Sequence, residues 1–472
     1  MRGPTSQSGA QGVIELSPDR IAAAAGAEVT IAGKGGRPAR AVADSRELVP
    51  GDLFFGLPGE HADGGEFAGR ALAAGAWGVV VEPERARSLA SAGAERRAGD
   101  GGGWVIAAPD PLAALQALAR AWRRELACQV VGITGSVGKT SVKDICHAIL
   151  PLRVHASPEN YNTEIGLPLA VLGAPPETQA LVLEMAMRGR GQIADLCEIA
   201  EPNVAAITNI GPVHLELLGT LEAIAEAKSE ILAGLGGRDR AVVPADAEAL
   251  EPHLHDRLVT ITFGAGGDVF ALEWSGDGRS IEATIGTPAG EQRFSFPFGE
   301  AYHLTNALAA IAIGEALEVP LDEMARQAPR ITFSRLRGEL VELAGGIVLV
   351  NDCYNANPVS MRAALDHLAS LSAPGRHVAV LGEMAELGPN AAGYHRAAGS
   401  HARQLGVGPI VGVGELARDY APEAWAPDSQ AAVPLAEAML EPGDAVLVKG
   451  SRSVGLELLS DELIARRGTA EQ

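Results

Sequence analysis

Cysteine is scarce in this chain, which has only Cys128, Cys146, Cys197 and Cys353, widely separated and with no C-x-x-C pair. That spacing excludes a disulfide framework and argues against a zinc knuckle, so buried, reduced thiols are expected. Long apolar runs are missing too. No stretch reaches the length a bilayer span requires, and MRGPTSQSGAQG lacks the apolar centre of a secretion signal. A soluble, cytoplasmic protein with no stable membrane insertion is expected. Positive charge is also short: 38 Lys and Arg against 59 Asp and Glu leave a net charge of -21, which opposes binding to nucleic acid or anionic lipid. An anionic ligand must then be held by a local device, such as a glycine-rich loop at a helix N-terminus. Among the basic residues lysine is rare, at Lys34, Lys139, Lys143, Lys228 and Lys449 only. Each is a candidate for chemistry that a guanidinium cannot perform.

What is present is material for several cores. With 472 residues, 47% of them hydrophobic, the chain exceeds a single core of usual size, and about three domains are expected. The first part reads as a small mixed α/β domain with short buried strands at WGVVVE (77–82) and WVIAAP (104–109), joined through a surface loop at 94–103. A helical pattern over 111–126 leads into an apolar strand at 129–134, a glycine-rich turn and a helix to 150, which opens an α/β unit. Further buried strands at 180–185 and 204–208 predict a parallel sheet covered on both faces, and a helix over 302–317 closes this part. From Gly346 strand, loop and helix restart and repeat through HVAVLGEM and GPIVGVGE to DAVLVKGSR, which predicts a doubly wound C-terminal domain. The expected domains are 1–110, 111–330 and 331–472.

The turn after the 129–134 strand carries Gly135, Ser136, Val137, Gly138, Lys139, Thr140 and Ser141. Backbone N–H groups in such a loop converge at a helix N-terminus, Lys139 reaches the β and γ phosphates, and the Thr140 hydroxyl suits Mg²⁺. An ATP site is expected, although Ile133 occupies the first glycine position of the strict motif. Glu184 and His214 follow two later strands, at the carboxyl edge of the sheet, where a carboxylate and an imidazole are placed to bind Mg²⁺. Lys228, in IAEAKSEIL, reads by helical pattern alone as a surface residue whose neighbours Glu226 and Glu230 do not face it.

These segments together resemble the Mur ligases, ATP-dependent amide-forming enzymes of peptidoglycan precursor synthesis. The resemblance rests on TGSVGKTS, Glu184, TNIGPVHLE, AKSEI and HLTNALAA, and covers nearly the whole length. It implies three domains, magnesium binding by Glu184 and His214, carbamylation of Lys228 and contact between Asn306 and adenine. NDCYNANPVSM, LGEMAELG with His395, and VLVKGSR with Lys449 and Arg452 are similar to the member that adds D-alanyl-D-alanine to a UDP-N-acetylmuramoyl tripeptide. In that reading Asp352 meets the ribose and the loop around Asn355 and Asn357 meets the dipeptide. Asn351 departs from the family, which has an aspartate at this position. The N-terminal segment with Asp44, Ser45 and Arg46 implies contact with the uridine nucleotide, and Asn160, Asn162 and Thr163 with the muramyl part. Taken without the family, DSR is a turn with a structural salt link and the asparagines are a polar loop. The rival expectations are a folate-polyglutamylating ligase and a phosphate-loop kinase or nucleotide-gated module. The chain is expected to act as a monomer.

Overall fold

A computed structural model describes residues 14–59, 62–94, 102–158, 160–213, 215–255 and 257–469. Most of the expected 94–103 loop lies outside them. The chain divides into two compact units. One holds Met1–Ile133, Leu152–Ala205 and Ile231–Asp239, and the other holds Thr134–Pro151, Ala206–Glu230 and Arg240–Gln472.

In the first unit a five-stranded sheet runs in the order Glu28–Ile31, Trp104–Ala107, Gly78–Val81, Leu53–Phe55, Ala41–Val42. The first pair is antiparallel and the others are parallel. Gly78–Val81 and Leu53–Phe55 are buried along their whole length, as continuous apolar strands inside a sheet must be. The helix Pro111–Leu126 starts where Asp110 accepts hydrogen bonds from the Leu112 and Ala113 N–H groups, with proline at its first position. Its buried face is Leu115, Leu118, Ala119 and Trp122, which follow the helical repeat. The strands that follow, Val154–Ala156, Ala180–Glu184 and the first part of Gln129–Thr134, pair in parallel, with Ile133 level with Glu184.

The second unit contains the phosphate-loop segment and its helix Lys139–Ile149, the parallel pair Arg240–Pro244 and Val259–Phe263, and the helix Ala301–Ala316. It also holds a three-stranded antiparallel sheet, Phe270–Gly276, Ile281–Thr287 and Gly290–Phe296, that a pattern of parallel α/β units does not predict. Its last sheet has six strands in the order Glu339–Leu343, Ile347–Asn351, Ala445–Lys449, His377–Gly382, Ile410–Val413, Ala424–Ala426. Only the first pair is antiparallel. Alternate residues serve opposite faces: Ala379, Leu381, Ala445 and Leu447 join one core, and Val378, Val380, Val446 and Val448 the other. The doubly wound C-terminal part is therefore present as expected, and the α/β class holds throughout.

None of the four cysteines forms a disulfide, with Cys146 and Cys353 buried but Cys128 and Cys197 only half-buried. Among the described residues no helix is long and apolar enough to cross a membrane.

Candidate active site

The glycine-rich turn is held open from one side. Ser136 N–H donates to Asn209 O at 3.1 Å, and Val137 N–H to the Asn209 side-chain oxygen at 2.8 Å. The Ser136 hydroxyl donates to Gly211 O at 3.0 Å and accepts from Gly211 N–H at 2.9 Å, while the Thr208 hydroxyl donates to Val137 O. Gly135, at φ +151°, approaches Thr208 so closely that a Cβ would collide with its hydroxyl. Gly138, at φ +83°, precedes the helix, and a Cβ there would collide with Asn306 Oδ1. Lys139 Nζ donates to Gly135 O at 2.9 Å, which lays the ammonium over the loop. Thr140 Oγ1 accepts from Arg337 at 3.2 Å, and Ser141 is buried in the first helical turn. The fold thus brings Asn306, far away in sequence, against the loop. Sequence reasoning missed Thr208 and Asn209 as its braces. Their signal was present, since two polar residues directly follow a buried strand.

Glu184, buried at its strand end, accepts from Asn162 Nδ2 at 3.0 Å, and its N–H donates to the Ser157 hydroxyl at 3.1 Å. Two residues expected to have separate roles are therefore joined, with Asn162 orienting the carboxylate. Asn160 takes φ +64° at the turn and accepts from Asn162 N–H at 2.9 Å; Thr163 Oγ1 accepts from Gly166 N–H at 3.4 Å. Asp44 and Arg46 form the turn's own salt link at 2.6 Å, flanking the half-buried Ser45. The guanidinium beside it holds the Asp44 carboxyl at about 2, and the Arg46 side chain is 88% exposed. His214 lies outside the described residues.

Lys228 is not on the surface. It is 2% exposed, and burial together with the nearby Lys139 charge pushes its pKa well below the usual lysine range. Lys449, equally buried, donates to the Asp352 carboxylate at 2.6 Å and to Asn355 O at 3.0 Å. Asn357 caps the helix Pro358–Ser370 in a reciprocal pair with Ser360, and Asn355 Oδ1 accepts from Ala356 N–H at 2.9 Å. Arg337, absent from the sequence reading, lies with its guanidinium 3.8 Å from the Tyr354 ring centre, so it spans from Thr140 to the YNANP loop.

A glycine-rich loop at a helix start, a buried amine and a C-terminal doubly wound sheet are features an ATP-dependent ligase would use, and comparison with known proteins identifies that class. Residues 133–314 match the Mur ligase middle domain, and residues 336–452 match the domain described as Mur ligase, glutamate ligase domain. The chain belongs to the Mur ligase family. Within it, a relative from Synechocystis sp. is 35% identical over 449 residues, covering 90% of this chain and 92% of its own, and is named UDP-N-acetylmuramoyl-tripeptide–D-alanyl-D-alanine ligase. The crystal structure of MurF from Acinetobacter baumannii has a TM-score of 0.83 at 27% identity, covering 97% of this chain and all of that one (100%). MurF ligase from Thermotoga maritima, solved in complex with ADP, has a TM-score of 0.77 at 29% identity over 90% of this chain and 98% of its own.

Proposed function

We propose that the protein joins the terminal carboxylate of a UDP-N-acetylmuramoyl tripeptide to the amine of D-alanyl-D-alanine with hydrolysis of ATP to ADP and phosphate, in cytoplasmic peptidoglycan precursor synthesis. The observation that carries the nucleotide half is the braced 135–141 loop with Asn306 packed against Gly138. The relatives' shared name and the YNANP loop, anchored by Lys449, support the dipeptide half. In this reading 1–110 binds the UDP-linked substrate, 111–330 binds ATP and 331–472 presents the dipeptide.

A carboxylate is a poor electrophile, and amide formation in water is uphill. Transfer of the γ-phosphoryl group to a carboxylate oxygen releases ADP and leaves an acyl phosphate. The dipeptide amine then forms the C–N bond, phosphate departs with the C–O electron pair, and the amine loses a proton. Lys139 acts on the charge that shifts during transfer, and the loop N–H groups of the helix start orient the phosphates. Asn306 meets the adenine and Asp352 the ribose; Asp44, Ser45, Arg46, Asn160 and Thr163 meet the UDP-linked substrate, which Asn162 reaches beside Glu184. Asn355 is the better placed of the two dipeptide candidates, because it is exposed whereas Asn357 is buried in its helix cap.

Thr140 and Glu184 supply hard oxygen donors that fit Mg²⁺, with His214 as the imidazole donor. When bound, Mg²⁺ withdraws charge from the transferring phosphoryl group. Lys228 is proposed as a carbamate. Its buried amine, which burial favours in the neutral form, adds to CO₂ through a new N–C bond and releases a proton, which converts a neutral amine into an anionic oxygen ligand.

The test is product analysis. With ATP, Mg²⁺, the UDP-linked tripeptide and D-alanyl-D-alanine, mass spectrometry is expected to show the UDP-linked pentapeptide, with phosphate release dependent on the dipeptide. Preferential incorporation of diaminopimelate, lysine or glutamate would overturn the assignment. Phosphate release indifferent to any amine would favour a kinase or a nucleotide-gated module.

A further inference from the structure

The loop that follows the strand His377–Gly382 is fixed at more points than a link between strand and helix needs. Gly382 O accepts from the buried Tyr420 hydroxyl at 2.9 Å, Glu383 N–H donates to Val413 O at 3.2 Å, and Glu383 O accepts from Ser451 N–H at 2.9 Å. Met384 N–H donates to His395 Nε2 at 3.0 Å, and Ala385 N–H to the Ser451 hydroxyl at 2.9 Å. Consecutive residues are thus each held by a partner from another part of the chain. The tip, Ala385 and Glu386, stays exposed. Glu386 takes φ +62° there, a left-handed conformation that a residue other than glycine keeps only where its surroundings impose it.

His395, on the helix Ala391–Gln404, is fully buried, and both ring nitrogens meet backbone groups whose roles cannot change. Nδ1 lies 2.7 Å from Ala391 O, which only accepts, and Nε2 meets Met384 N–H, which only donates. The ring is therefore the neutral tautomer with its proton on Nδ1. Burial lowers its pKa and favours this form, against the pull of Ala391 O, Glu383 and Asp419. The strand His377–Gly382 runs parallel beside Ala445–Lys449, and that strand beside Ile347–Asn351, so their carboxyl ends share the edge where doubly wound sheets bind ligands. Ser451 joins the loops at this edge: its hydroxyl donates to Ala356 O at 3.3 Å, between Asn355 and Asn357. At the other end Gly388, at φ +63°, lies against Glu216, two residues beyond His214. The 383–388 loop therefore runs from the dipeptide candidate Asn355 to the segment that follows the imidazole candidate.

We propose that His395 is a positioning residue of the dipeptide site, which fixes the 383–388 loop so that its exposed tip forms one wall of that site beside Asn355. The inference rests on reading the YNANP loop as the place where D-alanyl-D-alanine binds. The imidazole itself does not touch the dipeptide and acts through Met384 N–H. D-alanyl-D-alanine offers little surface, so a wall that had to be ordered on binding would consume much of its affinity, and a wall already fixed does not. Loss of the Nε2 acceptor leaves a buried N–H without its partner and loosens the loop, which weakens the dipeptide and spares the nucleotide.

The experiment measures KM for D-alanyl-D-alanine and for ATP from phosphate release with Mg²⁺ and the UDP-linked tripeptide, with thermal unfolding in parallel. His395→Phe keeps a ring without an acceptor, and His395→Leu serves if the phenylalanine variant does not fold. His395→Gln brings a carbonyl oxygen to where Nε2 stood, and Ser451→Ala removes the loop's other side-chain tie. The folded Phe or Leu variant is expected to raise the dipeptide KM about tenfold with KM for ATP within about twofold of the parent. Ser451→Ala should shift the dipeptide KM in the same selective way, and His395→Gln should stay within about threefold of the parent for both substrates. An unchanged dipeptide KM in the Phe or Leu variant, or in Ser451→Ala, would overturn the proposal. So would equal rises in both KM values, or a loss in His395→Gln as large as in the Phe or Leu variant, which would mark a packing role alone. A parent protein that forms no pentapeptide from D-alanyl-D-alanine would instead overturn the dipeptide reading beneath it.

Discussion

Three of the five lysines are buried, and their surroundings separate them chemically. Lys143 lies 2.7 Å from the Asp144 carboxylate and Lys449 lies 2.6 Å from that of Asp352, so each ammonium keeps a counter-charge in the interior. For Lys228, burial first and then the like charge of Lys139 push the pKa well below the usual lysine range, which favours the neutral amine. Only a neutral amine is nucleophilic towards CO₂. Lys228→Arg preserves formal charge but cannot deprotonate, and is expected to lower turnover by about two orders of magnitude or more. Lys228→Ala should recover part of the activity with added formate, read as phosphate release. Full activity in Lys228→Arg would reduce the residue to packing. Asn351 is settled at the same scale. Its Oδ1 accepts from the Ser460 and Cys353 side chains, each at 3.1 Å, and the residue is 1% exposed. The family's missing acid is thus a side chain turned into the C-terminal core, and Asp352, next along the strand, turns the opposite way to Lys449.

Among elements, the start of the helix Ala301–Ala316 has a titration of its own. Glu300 precedes it with a side chain 4% exposed, 3.5 Å from His367, and faces Asp352 and Tyr302. Burial first, and then the Asp352 charge, raises its pKa from 4.5 to about 7. The folded state therefore binds more protons than the unfolded state between those values, so the stability from this group is present below the unfolded pKa and is lost as pH rises through about 7. His303 and His367, lowered to about 3 and about 4, produce the opposite slope at lower pH, but they do so in parent and variant alike. Glu300→Gln, which mimics the neutral acid, should match the parent near about pH 5 and exceed it by about 3 kcal/mol near about pH 8.5. Urea unfolding at both pH values checks this, and a difference independent of pH would mean that Glu300 is ionised in the folded state. The elements themselves were largely legible, with the helices Pro111–Leu126 and Ala301–Ala316 and the C-terminal strands falling within a residue or two of their patterns. The three-stranded antiparallel sheet was not. Its first strand exposes Leu272 and Trp274, so apolar alternation there does not mark an inward face.

For the whole molecule, the excess of acidic side chains dominates long-range behaviour. A net charge of -21 makes two copies repel, and the chain is expected to sediment at physiological salt as a single species of 48.6 kDa. A mass of twice that value would overturn the monomer. The match to relatives extends over the same scale, 90% of the chain in sequence and 97% in structure, so membership in the family does not depend on one motif.

The sequence alone determined the α/β class, the phosphate loop and the family, because strand and helix periodicity and glycine-dependent turns are local properties of consecutive residues. Tertiary structure decided what the chemistry-bearing side chains face. Lys228 reads as a surface residue on its own helix, and only the elements packed over it remove its water and lower its pKa. Asn162 reads as a loop amide until folding sets it against Glu184, and Asn306 reads as one helix residue among others until folding sets it against Gly138 of the glycine-rich loop. Desolvation and the direction of a hydrogen bond depend on neighbours distant in sequence, and no local pattern carries them.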